Sequence, residues 1–349
     1  LTIALEHGFE EHAARGYANL AIYAVGDRQF ARAEGYLRDG LAYCGEHDLG
    51  PWEMFLLWVR ARARLDLGNW DRASEDAATV LSITWMPVTN RIPALLVLGK
   101  VRARRGDPGT GALLDEARDL TMASGDLLRI EQLAAARAEW RWLQGDRAGC
   151  LAEAAIGYHP GSQTSAGWYQ GEVAIWLWRS GGLTDAPAGI PAAYALQIAG
   201  DWCGAAAEWE RLGCPFERAL ALIDGDEAAL RTALELFEQL GAAPAAAIAR
   251  RRLRSTGVRG LPRGSRPTTQ SNPFGLTTRQ LDVLRLLAVG LRNNEIADQI
   301  STTPKTVENH VSAVLAKLNA HTRSEAARIA FEHHIVSDAD SRPQSNSGV

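Results

Sequence analysis

FGLTTRQLDVLRLLAVGLRNNEIADQISTTPKTVENHVSAVLAKLNAHTRSEAARIAFEHHIV occupies residues 274–336 of a 349-residue chain. Thr277 is followed three residues on by Gln280, a capping box that opens a first helix. Leu281, Leu284, Leu287 and Ala288 form its buried stripe, and Gly290 ends it. A short second helix is predicted over about 294–300, with Ile296, Ala297 and Ile300 inward. Thr303 then offers an N-cap, and Pro304 sits where a missing N–H costs nothing. The third helix runs to about Leu318 on a stripe of Val307, Val311, Val314, Leu315 and Leu318, with Asn319 as a left-handed C-cap. Thr322 with Glu325 opens a fourth helix carrying Ala326, Ala327 and Ala330.

Two short helices joined by a three-residue turn are a helix-turn-helix. Such a unit lays its second helix in the major groove. The outward face of that helix is Lys305, Thr306, Glu308, Asn309 and Ser312, short polar and charged groups suited to phosphates and base edges. Any core helix also has a polar face, so this face is weak evidence alone.

The motifs are more specific. Leu276-Thr277, Val283-Leu284-Arg285-Leu286-Leu287-Ala288, Gly290-Leu291, Asn293, Glu295-Ile296-Ala297, Lys305-Thr306-Val307, His310, Leu315-Ala316-Lys317-Leu318 and Arg323 together resemble the LuxR-type (GerE-like) DNA-binding domain. The resemblance covers about 60 residues and implies four helices, the third reading DNA and the fourth pairing two copies. It carries DNA contacts to Lys305 and Thr306. At Glu308, Asn309 and Ser312 only the positions carry over. Asn294, His310 and Arg323 complete the expected DNA-binding set, and Ala326, Ala327 and Ala330 the dimerisation set. His310 either bonds phosphate or buttresses the turn; no partner ligand at zinc spacing accompanies it.

Three departures are visible. Arg292 replaces the usual Ser or Thr, which removes a capping box with Glu295 and leaves Asn293 to cap at a cost of ~0.5 kcal/mol. Thr302 replaces an aliphatic residue in the turn. Glu308 stands where Lys is common; its carboxylate repels phosphate and can accept from cytosine N4, while Asn309 can read adenine.

Residues 1 to about 255 read as helix after helix. Ala14, Tyr17, Ala18, Ala21, Ile22 and Val25 fall on one stripe. So do Phe55, Trp58, Val59, Arg62 and Leu65, with the Arg62 stem lying along it. Gly26-Asp27, Gly68-Asn69, Gly106-Asp107 and Gly145-Asp146 punctuate the run at spacings of 42, 38 and 39 residues. Gly supplies a left-handed C-cap, and Asp or Asn can cap the next helix. A unit of that length is a helical hairpin, which must stack on its neighbours to bury its apolar face. Leu67-Gly68-Asn69-Trp70-Asp71-Arg72-Ala73 resembles the inter-helix signature of tetratricopeptide repeats, so the region is expected to be a TPR-like solenoid. Beyond Gly182 the spacing becomes irregular, as in terminal capping units. All 11 Trp lie between Trp52 and Trp209. They either line a ligand groove or pack between stacked helices, and packing is the expected role. The stretch from Tyr158 to Tyr169 reads as a surface connection rather than a lid.

No Asp or Glu lies between Glu238 and Asp282, whereas Arg250, Arg251, Arg252, Arg254, Arg259, Arg263, Arg266 and Arg279 all do. Residues 256–273 are expected to be an Arg/Gly/Pro-rich linker, either a solubilising tether or a phosphate-attracting arm in which Arg263 and Arg266 make the contacts. Residues 337–349 read as a disordered tail. The expected order is a 1–255 array, that linker, a 274–336 DNA-binding domain and the tail.

The net charge is −4, so the whole chain is not a basic nucleic-acid coat. Residues 276–336 hold seven basic and six acidic side chains. Phosphate attraction must then draw on the linker and on dimerisation, and deleting 250–266 should flatten the salt dependence. Four scattered Cys form no CxxC and no disulfide framework. No apolar run reaches the ~18 residues of a membrane span, and the first residues do not read as a signal peptide, so a cytoplasmic setting is expected. Residue 1 is Leu rather than Met, so either the chain is a fragment with sequence missing upstream or its start codon was read literally.

The order of helical repeats, Arg-rich linker and this domain resembles the C-terminal half of large ATP-binding LuxR regulators. No GxxxxGK[ST] is present, and Gly106 to Gly111 reads as a turn, so ATP binding does not carry over. Three readings remain open: a sequence-specific transcription regulator, an all-α scaffold with a vestigial C-terminal domain, and a helical-repeat enzyme. The last finds no nucleophile–base spacing, paired carboxylates or metal cluster. The expected partners are double-stranded DNA, a second copy on that DNA and a protein or small-molecule effector on the repeats, without membrane, cofactor or metal.

Overall fold

In the computed structural model the described residues are 1–84, 86–159, 167–256, 274, 276, 278–300, 302–318, 320 and 322–332. All regular structure among them is helical. The chain divides into two compact units, Leu1–Pro262 and Arg263–Val349.

The first unit contains α1 (Thr2–Glu6), α2 (Glu10–Gly26), α3 (Phe30–Glu46), α4 (Gly50–Asp66), α5 (Trp70–Ser82), α6 (Val88–Arg105), α7 (Thr110–Ser124), α8 (Leu127–Leu143), α9 (Arg147–Gly157) and α10 (Gly167–Ser180). Five further helices follow: α11 (Ala192–Ile198), α12 (Trp202–Leu212), α13 (Pro215–Leu222), α14 (Glu227–Gln239) and α15 (Ala243–Ser255). Helices α2, α4, α6, α8 and α10 pack in succession, while α3, α5, α7 and α9 each pack against the flanking members of that row. This alternation is what stacked helical hairpins require. The C-terminal helices then return onto the row, with α15 against α6 and the Phe216 ring of α13 edge-on to Trp70, centroids 5.8 Å apart.

The Leu67–Ala73 turn shows why its residues are needed. Gly68 has φ +81°, and a Cβ there would stand 2.7 Å from Leu240 Cδ2 and 3.0 Å from Pro215 Cγ. Any side chain would both strain the backbone and push α13 and the end of α14 away. Trp70 and Ala73 are buried, and the indole Nε1 donates to Leu65 O at 3.2 Å. The Gly106–Gly111 segment follows a helix, has left-handed Gly106 and Gly109, and opens α7 at Thr110, as expected of a turn.

The other breaks differ in detail from the expected caps. At the first one the left-handed position is Arg28 (φ 58°), not Gly26. Asn69 and Asp107 make no side-chain cap bond: Asn69 is an N-cap with its side chain unused, and Gly109 is the N-cap of α7. Asp146, Asp201 and Asp226 do cap, accepting from the backbone N–H of Gly149, Gly204 and Ala229. Trp58, Trp70, Trp176 and Trp209 are core side chains, and Trp52, Trp140, Trp142, Trp168, Trp178 and Trp202 pack against that core. The Trp side chains described therefore serve packing. The Tyr158–Tyr169 connection lies largely outside the described residues.

One feature of this interior was not legible. Arg62, on the buried stripe of α4, also pairs with Asp66 at 3.2 Å and Glu172 at 3.4 Å. Arg28 also faces Asp66, at 3.6 Å. Lys100 pairs with Glu172 and lies 3.7 Å from Glu139. Arg104 bonds Glu139 at 2.6 Å and Glu217 at 2.9 Å. These eight charges, contributed by the α2–α3 turn and helices α4, α6, α8, α10 and α13, form a continuous buried seam. Burial alone would raise the Glu172 carboxyl, but Lys100 and Arg62 outweigh it and hold it below the ordinary carboxylate range. Asp66 is likewise lowered, burial being overcome by Arg28 and Arg62.

Candidate nucleic-acid interface

The second unit contains α16 (Thr278–Ala288), α17 (Asn293–Gln299), α18 (Pro304–Leu318) and α19 (Arg323–Glu332). In its hydrophobic core Leu276, Val283, Leu284 and Leu287 meet Ile296 and Ala297, then Val307, Val311, Val314 and Leu318, then Ala326 and Ala330, with Gln280 a buried polar side chain. This matches the predicted stripes, with Val283 added and Leu281, Ala288, Ile300 and Leu315 only partly buried. Gly290 takes φ +90° after α16. Thr277, Asn319 and His333-His334 lie outside the described residues.

The turn between α17 and α18 sets the outward helix. Thr303 Oγ1 accepts from the Thr306 N–H at 3.2 Å, and Thr302 N–H donates to Ala297 O at 2.9 Å. Pro304 then opens a 15-residue α18. Because Val307, Val311, Val314 and Leu318 face inward, the opposite side of α18 must face water. Lys305, Glu308, Asn309 and Ser312 are exposed there, with Thr306 and His310 partly buried beside them. Lys305 Nζ and Glu308 Oε2 pair at 2.8 Å. Ser312 Oγ donates back to Glu308 O at 3.0 Å. Asn294 is exposed at the start of α17.

Arg292, not Asn293, is the N-cap of α17. Its guanidinium cannot accept a hydrogen bond, so only half of a capping box forms: Glu295 accepts from the Arg292 N–H at 2.6 Å. Asn293 has a different task. Its Oδ1 accepts from Arg323 Nη1 at 2.7 Å, and Arg323 Nη2 donates to Leu291 O at 2.9 Å. Arg323 is thus a strut tying α19 to the start of α17. Arg279 plays a similar part by donating to Ile300 O, and Lys317 donates to Gln280 at 3.0 Å. The sequence gives Arg279 no obvious task; its only signal is a basic residue at the start of a helix that carries no other cation before Arg285.

Of the expected dimerisation set, Ala326 and Ala330 are buried in the domain's own core, and Ala327 is partly exposed. Thr322 Oγ1 does cap α19, accepting from the Glu325 N–H at 3.1 Å. Arg263 and Arg266 lie outside the described residues, as do the rest of 257–273 and all of 337–349. Arg250 and Arg252, which a deletion of 250–266 would remove along with linker residues, belong to α15: Arg250 pairs with Glu238, and Arg252 with Asp224 at 3.0 Å.

A short helix, a tight capped turn and a longer helix with a hydrated polar side define a helix-turn-helix DNA-binding domain. Residues 275–330 match the family of bacterial regulatory proteins, luxR family (GerE), and form a LuxR-family domain. Over 61 residues the chain is 43% identical to the response regulator protein VraR of Staphylococcus aureus, and equally to the proteins of that name from Staphylococcus saprophyticus and Staphylococcus epidermidis. The matched stretch is 18% of this chain and 29% of each relative. The chain therefore spans less than a third of the length of these relatives. Among the described residues no helix is long and apolar enough to cross a membrane, and no cluster of His, Cys, Asp or Glu is arranged to hold a metal.

Proposed function

We propose that the chain is a sequence-specific, DNA-binding transcription regulator. Helix α18 enters the major groove, residues 1–255 act as sensor or docking module, and residues 256–273 tether the two. The observation that carries this reading is the exposed set Lys305, Glu308, Asn309 and Ser312 on a helix whose other side is wholly apolar. Lys305 and Thr306, at the N-terminal turn, meet phosphate or base edges. Asn309, one turn on, presents the amide that pairs bidentately with adenine. The Lys305–Glu308 pair is exposed on both sides, so it opens at little cost, freeing Lys305 for phosphate and Glu308 for a cytosine amino group.

Two copies bind, each α18 reading a half-site about one helical turn from the other. The outward side of α19, including Ala327, is the proposed contact between them. Arg263 and Arg266 supply phosphate attraction that the near-neutral domain lacks. Selection from random duplexes with the purified chain tests the proposal. It predicts enrichment of one motif with two-fold symmetry. A scaffold with a vestigial domain would enrich none.

A further inference from the structure

Among the described residues of the second unit, Arg292 is the cation whose side chain meets no partner. Lys305 and Arg285 pair with carboxylates, Arg279, Lys317 and Arg323 donate within the domain, and Arg328 is engaged as well. Arg292 is exposed, and the neighbouring Glu295 carboxylate is held on its backbone N–H at 2.6 Å rather than on its guanidinium.

Arg292 is also a costly choice for its position. Ser, Thr, Asn and Asp accept from the first N–H groups of a helix, and a guanidinium has no acceptor to offer. A residue that forgoes a local stabilising interaction, with no contact in its own domain to compensate, is where a functional role is expected.

A second guanidinium converges on the same peptide unit. Arg323 Nη2 donates to Leu291 O, the carbonyl of the unit that carries the Arg292 N–H, and Arg323 Nη1 donates to Asn293 Oδ1. Both acceptors are neutral, so neither offsets the charge of Arg323. Two cations and one anion, Glu295, therefore meet at this peptide, with Asn294 exposed beside them.

We propose that Arg292, backed by Arg323, binds a phosphate of the DNA backbone outside the groove that α18 reads. This assignment rests on α18 reading DNA and adds a contact from another part of the domain. The first helix of a helix-turn-helix crosses the sugar–phosphate backbone. Helix α17 is that helix, so a long cationic side chain at its start reaches phosphate rather than base edges. A guanidinium fits two phosphate oxygens at once. Arg292 gives up no ion pair to do so, whereas Lys305 must first leave Glu308. Such a contact fixes how the domain sits on the duplex and carries no sequence information.

Duplex binding by the full chain across a salt series tests this, on a duplex of arbitrary sequence and on the one that selection enriches. Arg292→Ser restores an acceptor at the start of α17, so the α17 amides should exchange with solvent about fivefold more slowly. The same variant should lose about one unit of log–log salt slope per bound copy, with affinity falling equally on both duplexes. Loss of fold cannot produce that pair of results, since the helix is firmer and the binding weaker. Arg292→Lys keeps the charge without the cap, so slope and exchange should match the native chain. If the native chain binds and Arg292→Ser has the same slope, Arg292 meets no phosphate and the inference falls alone. A loss confined to the selected duplex, a slope in Arg292→Lys as low as in Arg292→Ser, or faster exchange in Arg292→Ser would also overturn it. A native chain that binds neither duplex would overturn the DNA-reading proposal and this contact with it.

Discussion

The two units handle charge in opposite ways. The array buries eight ionised side chains in one seam, whereas the helix-turn-helix domain has an apolar core and keeps Lys305, Glu308 and Arg292 outside. The difference follows from what each must do. Stacked helical hairpins offer many near-equivalent packings, and a directional set of ion pairs across α4, α6, α8, α10 and α13 is satisfied by one of them. A DNA reader needs its charges hydrated and free to exchange partners.

The contrast breaks most visibly at Arg104. Replacing it by Met leaves Glu217 buried without its counter-charge and Glu139 with Lys100 alone, 3.7 Å away, and should cost ~3–5 kcal/mol of array stability. Lys305→Met, in the other unit, should change stability by less than ~0.5 kcal/mol. Denaturant unfolding of both variants checks the pair.

Acid should separate the units as well. Glu172, Asp66 and Asp224 have lowered folded pKa values, each because neighbouring cations overcome burial. Their contribution is complete above the ordinary values of 3.8–4.5 and disappears as pH falls through that range toward the folded values. Glu217, raised by burial, acts with the opposite sign and offsets part of the change. Between pH ~5 and ~3 the array should therefore lose stability more steeply than the C-terminal domain, as followed by Trp fluorescence, since every Trp is in the array.

Within the C-terminal domain, Lys305→Ala and Asn309→Ala should each weaken duplex binding by ~1–3 kcal/mol, the first evenly across sequences and the second at particular bases. Arg323→Met removes two hydrogen bonds that hold α19 to α17 and should cost ~1–2 kcal/mol of domain stability; thermal melting reads it. The smallest effect is expected of the linker. Deleting 257–266, which spares Arg250 and Arg252 in α15, should flatten the log–log salt dependence by about one unit for each phosphate the arm no longer neutralises.

How legible these features were depended on their range. The helix-turn-helix was readable because its signals are local: Thr303 before Pro304, Gly290 after α16, and apolar residues at helical spacing. The Leu67–Ala73 turn was readable for the same reason. The seam was not. Arg62, Lys100 and Arg104 sit on helices at ordinary spacing, and their partners Glu139, Glu172 and Glu217 are 35 to 113 positions away. A sequence shows such charges as polar interruptions of an apolar stripe; Arg62 amid Trp58, Val59 and Leu65 was the available hint. Arg323 carries a signal of another kind: its position matched a DNA-binding family, and the structure adds hydrogen bonds to Asn293 and Leu291 within the domain that the sequence did not announce. The burial of Ala326 and Ala330 was not legible either, because small residues suit a helix–helix contact of either kind, within one domain or between two copies.

The most direct test of α18 as the reading helix compares the native chain with Asn309→Ala on every single-base variant of the selected duplex. Loss of discrimination at one or two adjacent positions per half-site, with the other positions unchanged, is the predicted result. A uniform loss at all positions, or no loss at any, would contradict it.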